Sequence, residues 1–219
     1  MANKDYNKDA WKNITSASRK GDPQFGLSGA PFDNMANWGW NPQYRQNVIK
    51  WVQELSGVDS VLDIGCNQGQ YLYKLREEGL NCELAGVDVN PDGIKVAKDK
   101  CASKNIKLDV EDARKLSFSD QQFHTVLLLG VLMHMPDPIE VLNEAARVAG
   151  SYLIISSFGA TEKKPMHWNG FMNWFYTKQE VIGFMNQSVG RWSLEEFKEF
   201  EEYGMLVYQY KFKRINKAK

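Results

Sequence analysis

Apolar and polar positions fall into blocks that switch between the two-residue period of a strand and the 3.6-residue period of a helix. Residues 60–64 carry the apolar Val61, Leu62 and Ile64, which predicts a buried strand. Tyr71, Leu72 and Leu75 follow at helical spacing and predict a helix over 68–78. The pattern repeats with a strand at 84–88, a helix over 91–103 carried by Ile94, Val96 and Ala97, and a short strand at 106–110. A fully buried strand is expected at 125–129. Asp137-Pro138-Ile139-Glu140 then predicts a capping box, with an acid at the N-cap, proline in the first turn and Glu at the third helical position. Ile139, Leu142, Ala146 and Val148 carry that helix, and residues 151–156 predict the next strand. Strand–helix alternation of this kind implies a parallel sheet with right-handed crossovers.

The flanks follow other patterns. Tyr44, Val48, Trp51 and Leu55 predict a helix over 42–55, with Pro42 in its first turn. Residues 1–40 mix turn-forming residues with Tyr6, Trp11, Phe25, Phe32, Trp38 and Trp40. Disordered segments are poor in aromatics, so an ordered N-terminal aromatic-rich cap is expected there. Thr177-Lys178-Gln179-Glu180 predicts a second capping box opening a helix over 177–187. Residues 193–203 fit either a capped helix or a strand. The β-rich run 206–212 needs a partner, and an antiparallel hairpin with 191–200 provides one, which favours the strand. Lys211, Lys213, Arg214, Lys217 and Lys219 are expected on the exposed face and end of an edge strand, and Arg45 as a solvated charge.

Length and charge narrow the function classes. A chain of 219 residues suits one domain, 1–219, with a sizeable core. Lys+Arg and Asp+Glu both total 27, so the whole-chain field is weak and argues against nucleic acid or an anionic membrane as partner. Cys66, Cys82 and Cys101 show neither metal-ligand spacing nor an even count, so no metal and no disulfide framework is expected. Such thiols suit a reducing cytoplasm. The first thirty residues lack the apolar core of a signal peptide. The longest apolar run, 126–133, is broken by Gly130 and too short to span a bilayer. The expectation is a soluble, cytoplasmic protein.

The chemistry concentrates at two strand ends. Val61-Leu62-Asp63-Ile64-Gly65-Cys66-Asn67-Gln68-Gly69 runs from a strand into a tight glycine turn and then a helix. Leu84-Ala85-Gly86-Val87-Asp88-Val89 is a second strand ending in a carboxylate. Glycines let a ligand approach the backbone at the first end, and an acid reaches ribose hydroxyls at the second; doubly wound sheets hold adenosine in this way. The Gly-Lys-Ser/Thr of a phosphate loop is missing, as is a full G-x-G-x-x-G, so the loop is suited to some other nucleoside.

Residues 63–69 resemble motif I of the class I S-adenosylmethionine-dependent methyltransferases. Residues 112–123, Asp112-Ala113-Arg114-Lys115-Leu116-Ser117-Phe118-Ser119-Asp120-Gln121-Gln122-Phe123, resemble the "D-A-x-x-L-P-F-x-D-x-x-F" segment of the small-molecule branch, methyltransferase types 11 and 12. Val131-Leu132-Met133-His134-Met135-Pro136-Asp137-Pro138 resembles its "V-L-x-H-x-x-D-P" segment, and Arg147-Val148 the end of the next helix. Four ordered motifs over 58–157 carry the resemblance. Asn67 departs from the family's usual central glycine, Ser117 from its proline, and Met133 from a frequent acid.

The resemblance implies an α/β, Rossmann-like, doubly wound and mostly parallel seven-stranded sheet with a C-terminal antiparallel hairpin. It divides the domain into a cap and helix at 1–55, a cofactor-binding core at 56–157 and a substrate-side insertion with the hairpin at 158–219. S-adenosylmethionine is the implied cofactor. Its expected contacts are Asp63, Gly65, Cys66, Asn67, Gly69, Asp88, Val89, Asp112, Ala113, Gly130 and Val131. Asp88 would accept from the ribose and Asp112 from the adenine amine. His134 and His167 are the candidate proton acceptors, and Trp38, Trp40, Tyr44, Trp168, Trp174 and Tyr176 the candidate substrate walls. Methyl transfer to an oxygen or nitrogen of a small molecule is the implied activity, by a monomer or homodimer. An RNA or protein acceptor, and a non-catalytic cofactor-binding subunit, are the alternatives.

Overall fold

Strand β1 (Ser60–Ile64) is buried at all five positions, as a strand must be when both faces and both edges are covered. It occupies the middle of the computed structural model, which describes residues 42–168, 171–202 and 204–215, with 167, 168, 171 and 202 as backbone. The expected cap at 1–40, with Trp38 and Trp40, lies outside the described residues. Helix α1 (Gln43–Glu54) precedes β1. Then follow α2 (Gln70–Glu77), β2 (Glu83–Asp88), α3 (Pro91–Lys100), β3 (Ile106–Val110), β4 (Phe123–Leu129) and a 3-10 turn (Leu132–His134). Helix α4 (Ile139–Val148) leads to β5 (Ala149–Gly159), β6 (Lys164–Trp168), β7 (Phe171–Phe175), α5 (Lys178–Gln187), β8 (Trp192–Glu202) and β9 (Met205–Arg214).

Seven strands form one sheet in the order β3-β2-β1-β4-β5-β9-β8. The first five are parallel, while β9 pairs antiparallel with both β5 and β8. The expected sheet and C-terminal hairpin are both present. Strand alternation sorts the core into two layers. Val61, Leu84, Leu127 and Ile154 face α1, α2 and α3 through Val48, Trp51, Leu72 and Ile94. Leu62, Ile64, Val126 and Ile155 face α4 and α5 through Leu142, Ala145, Val181 and Met185. Among the described residues no helix is long and apolar enough to cross a membrane.

The local expectations fare differently. The box at Asp137 does not form. The helix begins one residue later, with Pro138 at the N-cap, which moves Glu140 to the second helical position and out of reach. Asp137 Oδ1 still accepts from the Ile139 N–H at 3.2 Å. The box at Thr177 forms as expected. The helix alternative for 193–203 is overturned by β8. A register shift between Leu194 and Glu196 inserts one residue, so Leu194 and Phe197 face the same core although three apart. That bulge imitates helical spacing.

Lys213 is exposed as expected, but Lys211 and Arg214 of β9 are placed differently, because β8, not β9, takes the sheet edge. Lys211 is buried against Glu195, Glu196 and the Trp51 ring. Arg214 donates to the carbonyls of Ala146 and Ala149. Lys217 and Lys219 lie outside the described residues.

Candidate active site

Strand β1 has β2 on one side and β4 on the other, so the chain leaves it in both directions and opens a crevice at its carboxyl end. The turn leaving β1 lines that crevice. Gly65, Asn67 and Gly69 all have positive φ, at 78°, 50° and 77°. Asparagine is among the side chains that best tolerate this region, which explains how Asn67 replaces a glycine. The Gly65 and Cys66 N–H groups donate to Val87 O at 2.8 and 3.0 Å. A Cβ on Gly65 would collide with Val131 Cγ2, so the turn presses against the exit of β4. Gly69 is the N-cap of α2, so the turn that leaves β1 runs straight into the helix N-terminus.

Three carboxylates stand at successive strand ends. Asp63 on β1 is only 2% exposed, and burial, reinforced by the Asp88 charge, raises its pKa to about 7. Asp88 ends β2, and its oxygens accept from the Asn67 N–H and the Asn90 N–H, both at 2.8 Å. Asp112 follows β3 and is gripped by Arg114, whose Nε and terminal nitrogen approach its two oxygens at 3.1 and 2.9 Å. Val89 and Ala113, beside the last two acids, are half-buried. At the tip of β4, Gly130 (φ 70°) donates to Ser156 O, and a Cβ there would meet nothing within 4 Å among the described residues. Cys66 is buried, and burial followed by the charges of Asp63 and Asp88 pushes its thiol well above the ordinary range. It is an uncharged wall.

Gln68 adds a feature that the motif alone did not single out. Its Oε1 is buried and has no hydrogen-bond donor among the described residues. A buried acceptor without a donor is costly, so a ligand donor beside the turn fits this loop. The turn, the carboxylates and the open tip of β4 together suit a ligand with an ammonium group and a nucleoside. Among the described residues no group of three His, Cys, Asp or Glu is placed to hold a metal.

Beyond the tip of β4 come the 3-10 turn and the β6–β7 hairpin, a two-stranded unit packed on that turn. The hairpin was not predicted, because its short strands show weak alternation. His134 is half-buried with Nδ1 out of solvent. Burial lowers its pKa to about 4, against the opposing effect of a side-chain hydrogen bond with Asn173. The imidazole is thus neutral near pH 7, and a weak base. Asn173, on β7 and 1% exposed, is a second residue that the sequence did not flag. His167 and Trp168 lie on β6, their backbones paired with Met172 and Phe171.

Trp174 is half-buried against the core. Tyr176 is a correction: it is fully buried, donates its hydroxyl to Met135 O and packs edge-on against Phe184. It braces the end of the 3-10 turn and lines no open surface. Tyr44 is half-buried at the start of α1, with its hydroxyl accepting from Arg45 Nε at 3.1 Å. Arg45 is buried, not solvated as expected, because the first turn of α1 is drawn onto the sheet. Gln209 Nε2 donates to Tyr44 O, and Gln209 Oε1 accepts from Asn47 Nδ2 at 2.8 Å.

The model of a family described as a methyltransferase domain matches residues 56–205. Among curated proteins, the tRNA U34 carboxymethyltransferase of Nautilia profundicola is 34% identical over 109 residues, covering 48% of this chain and 35% of that protein. A demethylmenaquinone methyltransferase of Staphylococcus aureus is 30% identical over 118 residues, covering 53% of this chain and 48% of that protein. The chain thus spans less than half the length of either curated relative. The magnesium protoporphyrin IX methyltransferase of Synechocystis PCC 6803, solved with bound SAH, superposes with a TM-score of 0.72 at 16% identity, covering 97% of this chain and all of that one. At that identity the likeness establishes the fold.

Proposed function

The chain belongs to the methyltransferase-domain family, whose donor is S-adenosylmethionine, and from that premise we propose that it methylates an oxygen or nitrogen nucleophile of a small molecule. The bound cofactor supplies a methyl group already activated on a sulfonium. The protein's task is therefore to hold donor and acceptor in line, and positioning of this kind is worth roughly 7–11 kcal/mol.

The turn residues Gly65, Asn67 and Gly69 bring backbone close to the methionine portion. Asp63, once ionised, receives the ammonium group, and Asp88 accepts from the ribose with a carboxylate already fixed by two backbone N–H groups. Asp112 accepts from the adenine amine. Gly130 and Val131 border the methionine side at the end of β4.

The observation that supports the small-molecule reading is the packing of the β6–β7 hairpin on the 3-10 turn, which sets Asn173 against His134; on this reading the hairpin walls the acceptor side. A neutral, weakly basic His134 is better suited to orienting an acceptor than to removing a tightly held proton. His167 keeps its proposed place as a second acceptor-side group, with Trp168, Trp174 and Tyr44 as walls.

Likeness to a tRNA-modifying enzyme favours a second reading, an RNA acceptor. Against it stand the balanced charge and an edge strand carrying Glu195, Glu199 and Glu201, which repel a phosphate backbone. RNA binding that weakens steeply with added salt would favour that reading instead. The cofactor assignment is tested by calorimetric titration with S-adenosylhomocysteine. Asp88→Ala is expected to bind at least about tenfold more weakly than wild type, the scale of a lost hydrogen bond to a charged group. Equal affinity in the two proteins would overturn it.

A further inference from the structure

The loop after β3 holds a side chain with no assigned function. Asp112 and Lys115 close a short turn, with the Lys115 N–H donating to Asp112 O at 2.9 Å. Arg114 sits inside that turn and directs three donors at the Asp112 carboxylate. Its backbone N–H and Nε approach Oδ1, each at 3.1 Å, and a terminal guanidinium nitrogen approaches Oδ2 at 2.9 Å. The two side chains are 24% and 30% exposed, so solvent screens their attraction and the pair adds little stability. Geometry is its stronger effect. A planar fork meeting both oxygens fixes the plane in which the carboxylate can accept further hydrogen bonds.

The loop does not need Arg114 to keep its path. Glu111 accepts from the Ser117 N–H and hydroxyl, and the Leu116 N–H donates to Glu144. Arg147 donates to the carbonyls of Leu116 and Phe118. These ties hold the backbone on both sides of Leu116 to the start of the loop and to α4. Removing the guanidinium would leave the Arg114 N–H on Oδ1 but take away the hold on Oδ2, so the plane of the Asp112 carboxylate could turn while its backbone stays in place.

We propose that Arg114 is a positioning residue for nucleobase choice: it locks the Asp112 carboxylate in the orientation that accepts the exocyclic amine of adenine and disfavours a base with a carbonyl there. The inference rests on the adenosyl-cofactor reading above. An amine donates to a fixed carboxylate, whereas a carbonyl oxygen at the same position meets it lone pair to lone pair. A rotating carboxylate loses much of that contrast.

Isothermal titration of the full chain with S-adenosylhomocysteine and with S-inosylhomocysteine gives the ratio of their dissociation constants. Wild type is expected to favour the adenosyl compound by roughly 10–100-fold, the scale of one charge-assisted hydrogen bond. Arg114→Ala is expected to shrink the ratio about fivefold or more, mostly by weaker adenosyl binding. Arg114→Lys keeps the charge without the fork and is expected to fall between; it also serves should the alanine variant fail to fold. A ratio that stays at the wild-type value overturns the proposal, whether both affinities drop together or neither moves. A wild-type ratio near one overturns it as well. If wild type binds neither compound, the cofactor reading fails, which is a separate result.

Discussion

Asp63 shows how one residue can oppose stability in serving a ligand. Its pKa of about 7 lies above the ordinary carboxylate value, so the folded protein holds this proton more tightly than the unfolded chain does. Its contribution to stability is complete below about pH 4 and is lost as the pH rises through about 7. Ligand binding should run the other way, because only the ionised form attracts an ammonium group. Affinity for S-adenosylhomocysteine is expected to rise about tenfold from pH 6 to pH 8, as the ionised fraction grows. Asp63→Asn should flatten that rise. Thermal melts should also show the variant gaining on wild type as pH increases from 5 to 8; a constant gap between the two would refute the assignment. Asp63, Gly65, Gly69 and Asp88 were legible in the sequence because strand ends and glycine turns are local signals. Gln68, Arg114 and Asn173 were not, since their roles depend on a buried acceptor, a carboxylate two residues away and a hairpin folded over from a distant segment.

At the scale of elements, the decisive joint is between α1 and the C-terminal hairpin. Gln209 is fully buried on β9 and bridges Tyr44 O and Asn47 on α1, with Ser156 on β5 within 3.5 Å. Trp51 Nε1 donates to Glu196 on β8 at 3.1 Å, one helical stretch further along. Gln209→Ala takes a partner from the buried side chains of Asn47 and Ser156 and is expected to cost about 1–3 kcal/mol. Its urea midpoint should fall accordingly, and an unchanged midpoint would show that the joint is not needed. The alternating core 60–159 was readable because each strand and helix has its own period. The β8 bulge was not, because its inserted residue converts a two-residue period into an apparent helical one. The joint itself left no local trace, since Asn47 and Gln209 are 162 positions apart.

For the whole molecule, β9 ties the antiparallel end of the sheet into the core of its parallel centre. Tyr208, Tyr210 and Phe212 of β9 belong to the same core cluster as Leu62 and Ile64 of β1. Ending the chain after residue 190 removes those side chains and bares the β5 edge, a template for aggregation. Such a fragment is expected to be insoluble or to lack a cooperative melt; a soluble fragment with a sharp transition would show that the parallel core stands alone. The placement of β9 between β5 and β8 has a further consequence. It follows every other strand of that sheet in sequence yet fills an interior slot against the earliest described helix. During translation, α1 and β5 must therefore wait, with apolar surface bare, until residues near 214 have cleared the ribosome. That interval is when nascent-chain chaperones would matter most.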